Sequence, residues 1–493
     1  MHKKFFFILI FLHLFLLLGS ASETQISPQA PDGVYATLEQ VSQLALANNF
    51  DIQLAKYDAE FSRANLDSAR SIYDTYIEAQ ANHSNDQSKT AAIFMGTKSQ
   101  TRNYNLGISQ KLPTGTSLRA DFSNQRSWTD SSYVTLNPAY DSSAKLTLQQ
   151  ELGKNFFGLK DRAIVKISKI DIENAEYSSL DRIEQILSSV HSVYWRIAQG
   201  LAVVVTREQM LSQAKDLFQI NQKKFSSGII EEPQLLASEA NVKQKEIDLI
   251  LAGNELEFSI NELKFLLNLD DQDRVVLPKD NLDLFIRPLE LSDVLKTAFS
   301  KRRDYAKAKN EIQSKKIKLV MQANSLWPEI NLQASVARNG LDNSLSQAVE
   351  DISSEDNPQY FLGINVKFAL QNRQARSDAN KAKIENAKAL INLKKIERQI
   401  FIEIQDGVRN CNILAQRVKK QEDVLRLQEE KLAAELKSYE YGRSDTDIII
   451  RYQDDLLLSK LLYTQALLDH KLALLEISLK QNLLLDSYWK DVL

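Results

Sequence analysis

Between Leu180 and Val204 the apolar positions of this chain step by three and four without a miss, through Leu180, Ile183, Leu187, Val190, Tyr194, Ile197, Leu201 and Val204. That is a helical seam sustained for more than three heptads. The pattern runs from about Leu159 to Phe225 and predicts a rod roughly 100 Å long at 1.5 Å per residue. A second rod of similar length is predicted from about Gln374 to Tyr441. Gly228 and Gly442 end the two rods, and Pro233 falls in the first turn of the helix that returns from the first. The helix returning from the second reaches about Leu485. It carries Leu456, Leu457, Leu458, Leu461, Leu462 and further leucines to Leu479, far more than one seam needs. Such a helix lies between two neighbours in a closed wall of helices, or in an ordinary bundle core.

Elsewhere the period changes to two. Strands are predicted at 76–84, 104–112, 116–124, 144–152, 329–337 and 360–370. Leu106 and Ile108, then Leu118, Ala120 and Phe122, alternate with polar residues on either side of the turn signal Pro113-Thr114-Gly115. Ile330, Leu332, Ala334 and Val336 do the same, as do Leu362, Ile364, Val366, Phe368 and Leu370. Shorter helices are predicted from Thr37, a plausible N-cap, to about Ile72, and from Leu291 to Ser325. Residues 23–36 read as an exposed lead-in and 270–290 as a connector. A polar loop holds Glu350-Asp351 and Glu355-Asp356.

The chain says the same thing twice. Residues 38–80 realign on 291–333 at a constant offset and without a gap: Val41 falls on Val294, Ala45 on Ala298, Asp51 on Asp304 and Ala55 on Ala308. The tip Phe225-Ser226-Ser227-Gly228 is echoed by Tyr439-Glu440-Tyr441-Gly442. Two halves of one plan make a pseudo-symmetric body rather than an enzyme domain with a unique cleft. The predicted division is a signal peptide at 1–22, a first repeat at 23–285 with its long hairpin at 159–268, and a second repeat at 286–493 with its hairpin at 374–485.

Composition agrees with long helices. Of 493 residues only 14 are glycine and 9 proline, and neither 139–232 nor 359–493 contains a proline. With 43% hydrophobic residues, these stretches are not disordered. The formal net charge of −3 does not suggest a nucleic-acid partner. His2-Lys3-Lys4, the apolar run Phe5–Leu18 and Gly19-Ser20-Ala21 read as a secretory signal, with a membrane anchor as the alternative. The single cysteine, Cys411, excludes an intramolecular disulfide. No other segment is apolar for long enough to span a bilayer as a helix, so a membrane role would need a β-barrel. One chain's six strands would leave two open edges and make too narrow a pore; several copies sharing one barrel solve both problems. The soluble alternative is a β-domain capping a coiled coil.

The order helix, strands, long hairpin, connector, helix, strands, long hairpin resembles the TolC family of outer-membrane efflux proteins. The echoes are Leu38-Glu39-Gln40-Val41 with Ala45-Leu46-Ala47-Asn48-Asn49, the repeated Leu291 to Asp304, the segment Ser325-Leu326-Trp327-Pro328-Glu329-Ile330, and the tips at Lys224–Ile230 and Tyr441-Gly442-Arg443. The resemblance implies a mainly α fold, in which long antiparallel hairpins form an α-helical barrel and strands join a trimeric transmembrane β-barrel. It also implies a homotrimer in outer-membrane lipid that extends into the periplasm. The tips, Gly228 with Ile229 and Gly442 with Arg443, would dock a periplasmic adaptor coupled to an inner-membrane transporter. Such proteins are passive exit ducts in efflux or type I secretion, with no catalytic residues and no cofactor.

This chain departs from the family pattern twice. The simplest members contribute four strands, so the hairpin at 104–124 is extra. The aspartate often found six residues after the first tip glycine is Gln234 here, near Glu231 and Glu232. The arginine expected two residues after the second is Ser444, with Arg443 one residue early. The candidate gate residues are therefore Arg443, Asp445, Asp447, Arg451, Asp454, Asp455 and Tyr439 on the second tip, and Glu231, Glu232 and Gln234 on the first. Near a threefold axis, Asp447, Asp454 or Asp455 would become a ring of three carboxylates that attracts cations; the plainer reading is a solvated helix face. His83, His191 and His470 are too far apart in sequence to suggest a metal site. Cys411, between Val408 and Ala415 on an apolar stripe, reads as a small core residue. The competing function is a soluble periplasmic coiled-coil scaffold that never inserts in a membrane.

Overall fold

The computed structural model describes residues 33–89, 96–270, 275–282, 288–354 and 357–486. The expected signal peptide, most of the lead-in, parts of the connector and the Glu355-Asp356 pair lie outside these residues. In chain order the elements are β1 (Gly33–Ala36), α1 (Leu38–Asn48), α2 (Phe50–Arg70), β2 (Thr75–Asp86), β3 (Ser99–Lys111), β4 (Thr116–Thr129), β5 (Ala139–Glu151), α3 (Leu159–Ser226) and α4 (Glu232–Leu267). The second half has β6 (Val275–Pro278), α5 (Leu291–Lys301), α6 (Arg303–Asn324), β7 (Glu329–Asp342), α7 (Leu345–Ser354), β8 (Pro358–Lys367), α8 (Arg373–Glu440) and α9 (Thr446–Lys480).

Both rods form, and each is 68 residues long. The seam read from the sequence is the core: Ile183, Leu187, Val190, Tyr194 and Ile197 are buried against α1 and α4 side chains such as Val41, Leu256, Ile260 and Leu263. The helices lie in the order α4, α3, α9, α8, since α3 packs on α4 and α9, and α9 on α8. The leucine-rich α9 therefore sits between two neighbours, which accounts for its apolar residues on more than one side. Beyond the ends of α4 and α9, α2 packs on α3, and α6 packs on α3 and α8.

The two expected short helices are each broken in two. Asn49 and Arg302 take extended backbone (φ −63°, ψ 127° and φ −64°, ψ 122°) and separate α1 from α2 and α5 from α6. These breaks fall at equivalent positions of the repeat. The Asn49 side chain caps the second piece by accepting from the Ile52 N–H at 3.0 Å, and its amide donates to the Leu266 carbonyl at the end of α4. Arg302 does this work by charge, bridging Asp304 at 2.6 Å and Glu403 of α8 at 2.8 Å.

All six predicted strands join one antiparallel sheet in the order β2-β3-β4-β5-β7-β8, most of them longer than expected. The extra hairpin lies within the sheet, between β2 and β5, and widens it. The register aligns Ile77, Ile108, Ala120, Leu146, Val336 and Tyr360 in one row across all six strands. The neighbouring row carries Ala79, Leu106, Phe122 and Ala144 and ends in Arg338 and Pro358. One face is thus a continuous apolar band. The other carries Glu78, Gly107, Asp121, Lys145 and Gln359. Arg119 crosses that polar face over Gly107 to reach Glu78 at 3.0 Å, and a Cβ on Gly107 would stand 3.1 Å from the Arg119 guanidinium. Both edges, β2 and β8, have no further strand beside them among the described residues.

Two features correct the sequence expectations. The last residues of the supposed exposed lead-in form β1, which pairs in parallel with β6 of the connector. Tyr194 fastens this seam, its hydroxyl donating to Asp280 at 2.7 Å and lying 3.0 Å from the Ala36 carbonyl. The supposed polar loop at Glu350-Asp351 is the amphipathic helix α7. Its Ala348 is buried against Gly340, where any Cβ would collide with the Ala348 carbonyl at 2.1 Å.

Candidate functional site

The two tips are built alike. At the first, Gly228 takes φ +70°, and the Ile229 N–H donates to the Lys224 carbonyl at 2.9 Å. At the second, Gly442 takes φ +69°, and the Arg443 N–H donates to the Ser438 carbonyl at 2.9 Å. These are paired left-handed helix stops. Nothing lies within 4 Å of a Cβ built on either glycine, so conformation alone requires the residue there. Ile229 and Tyr441 are exposed beside them.

Just behind the tips the two hairpins are clasped. The Tyr439 hydroxyl of α8 donates to Asn221 Oδ1 of α3, and lies 3.0 Å from Thr446 Oγ1 at the start of α9. The Asn221 amide also donates to Thr446 Oγ1 at 3.2 Å, and all three residues are buried. Lys224 Nζ sits 3.6 Å from the centre of the Tyr439 ring and donates to the Tyr439 carbonyl. Leu217 and Ile449 complete the apolar surround. Tyr439 was a candidate from its place at the tip. Asn221, Lys224 and Thr446 were not, because no spacing in the sequence marks a contact made across 218 residues.

The acidic candidates separate into two groups. Asp454 of α9 is held by Lys245 of α4, whose ammonium is buried, and Asp455 by Lys431 of α8 at 2.6 Å. Arg207 and Asp248 likewise join α3 to α4, while the Lys245–Asp454 pair reaches past α3 to tie α4 to α9. Asp445, Asp447, Arg443, Glu231 and Glu232 are exposed and make no ion pair among the described residues. Arg451 is exposed and lies over the Tyr452 ring at 5.6 Å. Gln234 is half-buried in the first turn of α4.

Among the described residues no group of three His, Cys, Asp or Glu could hold a metal ion. Cys411 is buried with Val408, Ile404 and Ile477, and burial pushes its thiol up to about 11. His191 is buried against Ser42, with Nε2 2.8 Å from the hydroxyl. Among the described residues no helix is long and apolar enough to cross a membrane.

No protein-family model matches the chain, and no curated protein matches it in sequence. Solved structures do. The CmeC outer membrane channel of Campylobacter jejuni aligns over 92% of this chain and 89% of its own, at 14% identity and a TM-score of 0.66. CusC, whose structures describe folding and transmembrane channel formation, aligns over 92% and 93% at 14% identity and a TM-score of 0.68. VceC, an outer membrane protein of Vibrio cholerae, aligns over 90% and 95% at 15% identity and a TM-score of 0.65. The chain has the fold of these outer-membrane channels, helical hairpins and strands alike.

Proposed function

We propose that this protein is the outer-membrane exit duct of an efflux or secretion system, a passive homotrimeric channel that extends into the periplasm. The observation that carries the reading is the six-stranded sheet with one apolar face, one polar face and two edges that have no further strand beside them among the described residues. In lipid every backbone polar group needs a partner, so β2 and β8 must pair with strands of other copies. The strands alternate in direction, so β8 of one copy runs antiparallel to β2 of the next, as ring closure requires. Three six-stranded copies give an eighteen-stranded barrel, wide enough for an aqueous lumen. The apolar band would face lipid, and Glu78, Arg119 and Asp121 the water inside.

The helices support the same closure. On one lateral edge α2 exposes Phe50, Leu54, Tyr57 and Phe61, and α4 exposes Leu236, Ile247, Phe258 and Phe265. On the other, α8 exposes Ile384, Ile391, Ile402, Ile413 and Val424. The α4 and α8 stripes recur at mixed steps of seven and eleven residues, the period of a nearly straight helix. Two apolar stripes on opposite edges suit a ring in which each copy covers the next.

At the tips, Gly228, Ile229, Gly442 and Arg443 would dock a periplasmic adaptor joined to an inner-membrane transporter. The Tyr439–Asn221–Thr446 clasp and the Lys245–Asp454 and Lys431–Asp455 pairs would hold the closed end shut, with Asp447 as the unpaired carboxylate facing the constriction. The test is oligomer mass and planar-bilayer conductance of protein extracted from the membrane fraction. A trimer with cation-selective, divalent-sensitive currents supports the duct. A protein found only in the soluble fraction supports the coiled-coil scaffold instead.

A further inference from the structure

On the apolar face of the sheet, two rows beyond Leu106 and Phe122 and away from the helices, three basic residues stand side by side. The register sets His83 opposite Arg102, and Arg102 opposite Arg126, on neighbouring strands β2, β3 and β4. All three share the parity of Ile77, Ile108 and Ala120, so they project from the lipid-facing side. Like charges placed directly opposite each other destabilise a sheet, and neither arginine has an ion pair among the described residues to offset this. Arg102 is exposed. Arg126 is oriented, its Nε donating to the Tyr140 hydroxyl at 3.2 Å and its guanidinium lying 5.9 Å from the Tyr140 ring centre.

Position and chemistry point to one ligand class. Charges on the outer face of a barrel are tolerated near the membrane surface and costly at its centre. Tyr140 in this row and Trp128 in the next, on the same face, suit the headgroup level. Guanidinium forks bind phosphate oxygens in pairs. On one flank α7 packs on β5 and β7, over Gly340, so the row is bounded by a helix there and open to the bilayer on the other. We propose that His83, Arg102 and Arg126 form a binding site for phosphate-bearing lipid headgroups of the outer leaflet. This rests on the channel reading above, which puts lipid against that face.

The test is native mass spectrometry of the full-length trimer in phosphatidylcholine nanodiscs, titrated with bisphosphorylated lipid A. Arg102→Gln/Arg126→Gln weakens retention by about thirtyfold, roughly fivefold for each arginine. Arg102→Lys/Arg126→Lys restores most of it, and monophosphorylated lipid A binds less well than the bisphosphorylated form. Unchanged retention in the glutamine variant overturns the site. So does full displacement by an equal concentration of inorganic phosphate, which would show a site for a free anion. If the double variant fails to assemble, Arg102→Gln alone gives the readout, since that exposed side chain makes no ion pair among the described residues. Bilayer conductance is recorded in parallel. A trimer that conducts while its lipid retention ignores these charges removes the headgroup site alone, whereas failure of the wild type to insert removes the channel reading.

Discussion

Tyr439 and Asn221, 218 residues apart, share a buried hydrogen bond that ties the second helical hairpin to the first immediately behind both tips. The contact is closed to water, and Thr446 satisfies the remaining polar atoms. Neither residue can be truncated without leaving a buried polar group unpaired, which costs about 1–3 kcal/mol.

If this clasp helps to keep the duct shut, Tyr439→Phe and Asn221→Ala shift the closed–open balance toward open by roughly tenfold, since 1.4 kcal/mol is a factor of ten. Single-channel recording should show larger or longer openings from trimers of normal mass. Unchanged currents would mean that the clasp is only structural.

At the tips, Gly228→Val forces a branched residue to a φ of +70°, a cost of about 1–2 kcal/mol with no steric clash added. The trimer should form while export falls. Gly228→Asn, which tolerates that backbone, should retain most export. Equal loss in both variants would show that the tip senses side-chain bulk rather than backbone shape.

A buried network just past the end of α9 joins α3 to α6. Arg303 of α6 bridges Glu184 at 2.5 Å and Asp181 at 3.2 Å, and Glu184 also accepts from Asn482 at 2.7 Å and the Leu484 N–H at 2.7 Å. Arg303→Met strands the fully buried Glu184 and should cost about 3–5 kcal/mol. Arg303→Met/Glu184→Leu should recover part of that loss. Chemical denaturation that finds the single variant as stable as the wild type would refute this.

Burial lowers His191 to about 4, from an ordinary 6.5. The folded protein therefore resists protonating a ring that the unfolded chain protonates readily. The contribution is fully present above pH 6.5, declines as pH falls, and is gone near 4; it amounts to up to about 3 kcal/mol. His191→Gln should flatten the pH dependence of the unfolding midpoint between pH 7 and 4. An unchanged slope would assign the acid sensitivity to other groups.

The rods were legible because the three-and-four step through Ile183, Leu187 and Tyr194 has only one structural solution at that length. The strands were legible for the same reason at period two. The breaks at Asn49 and Arg302 were not, because apolar spacing continues through them; Asn49, a good capping residue between two helical runs, was the available signal. Helix α7 was hidden in a polar stretch, although Leu345, Ala348, Val349 and Ile352 carry helical spacing. The pairing of β1 with β6 joins four-residue strands from distant parts of the chain, too short for periodicity to register. At the tips, the sequence offered charged residues by position. It could not say that Asp454 and Asp455 are already held by lysines while Asn221, an unremarkable helix residue, meets Tyr439.

The equal lengths of α3 and α8 have a mechanical consequence. Each is one uninterrupted shaft, whereas the helices beside them are laid in two pieces: α2 beyond α4, and α6 beyond α9. A shaft splinted by a jointed partner resists bending yet lets the partner slide at its joint. Both shafts therefore span the same distance from tip to strand-bearing end, which keeps the two tips level with each other.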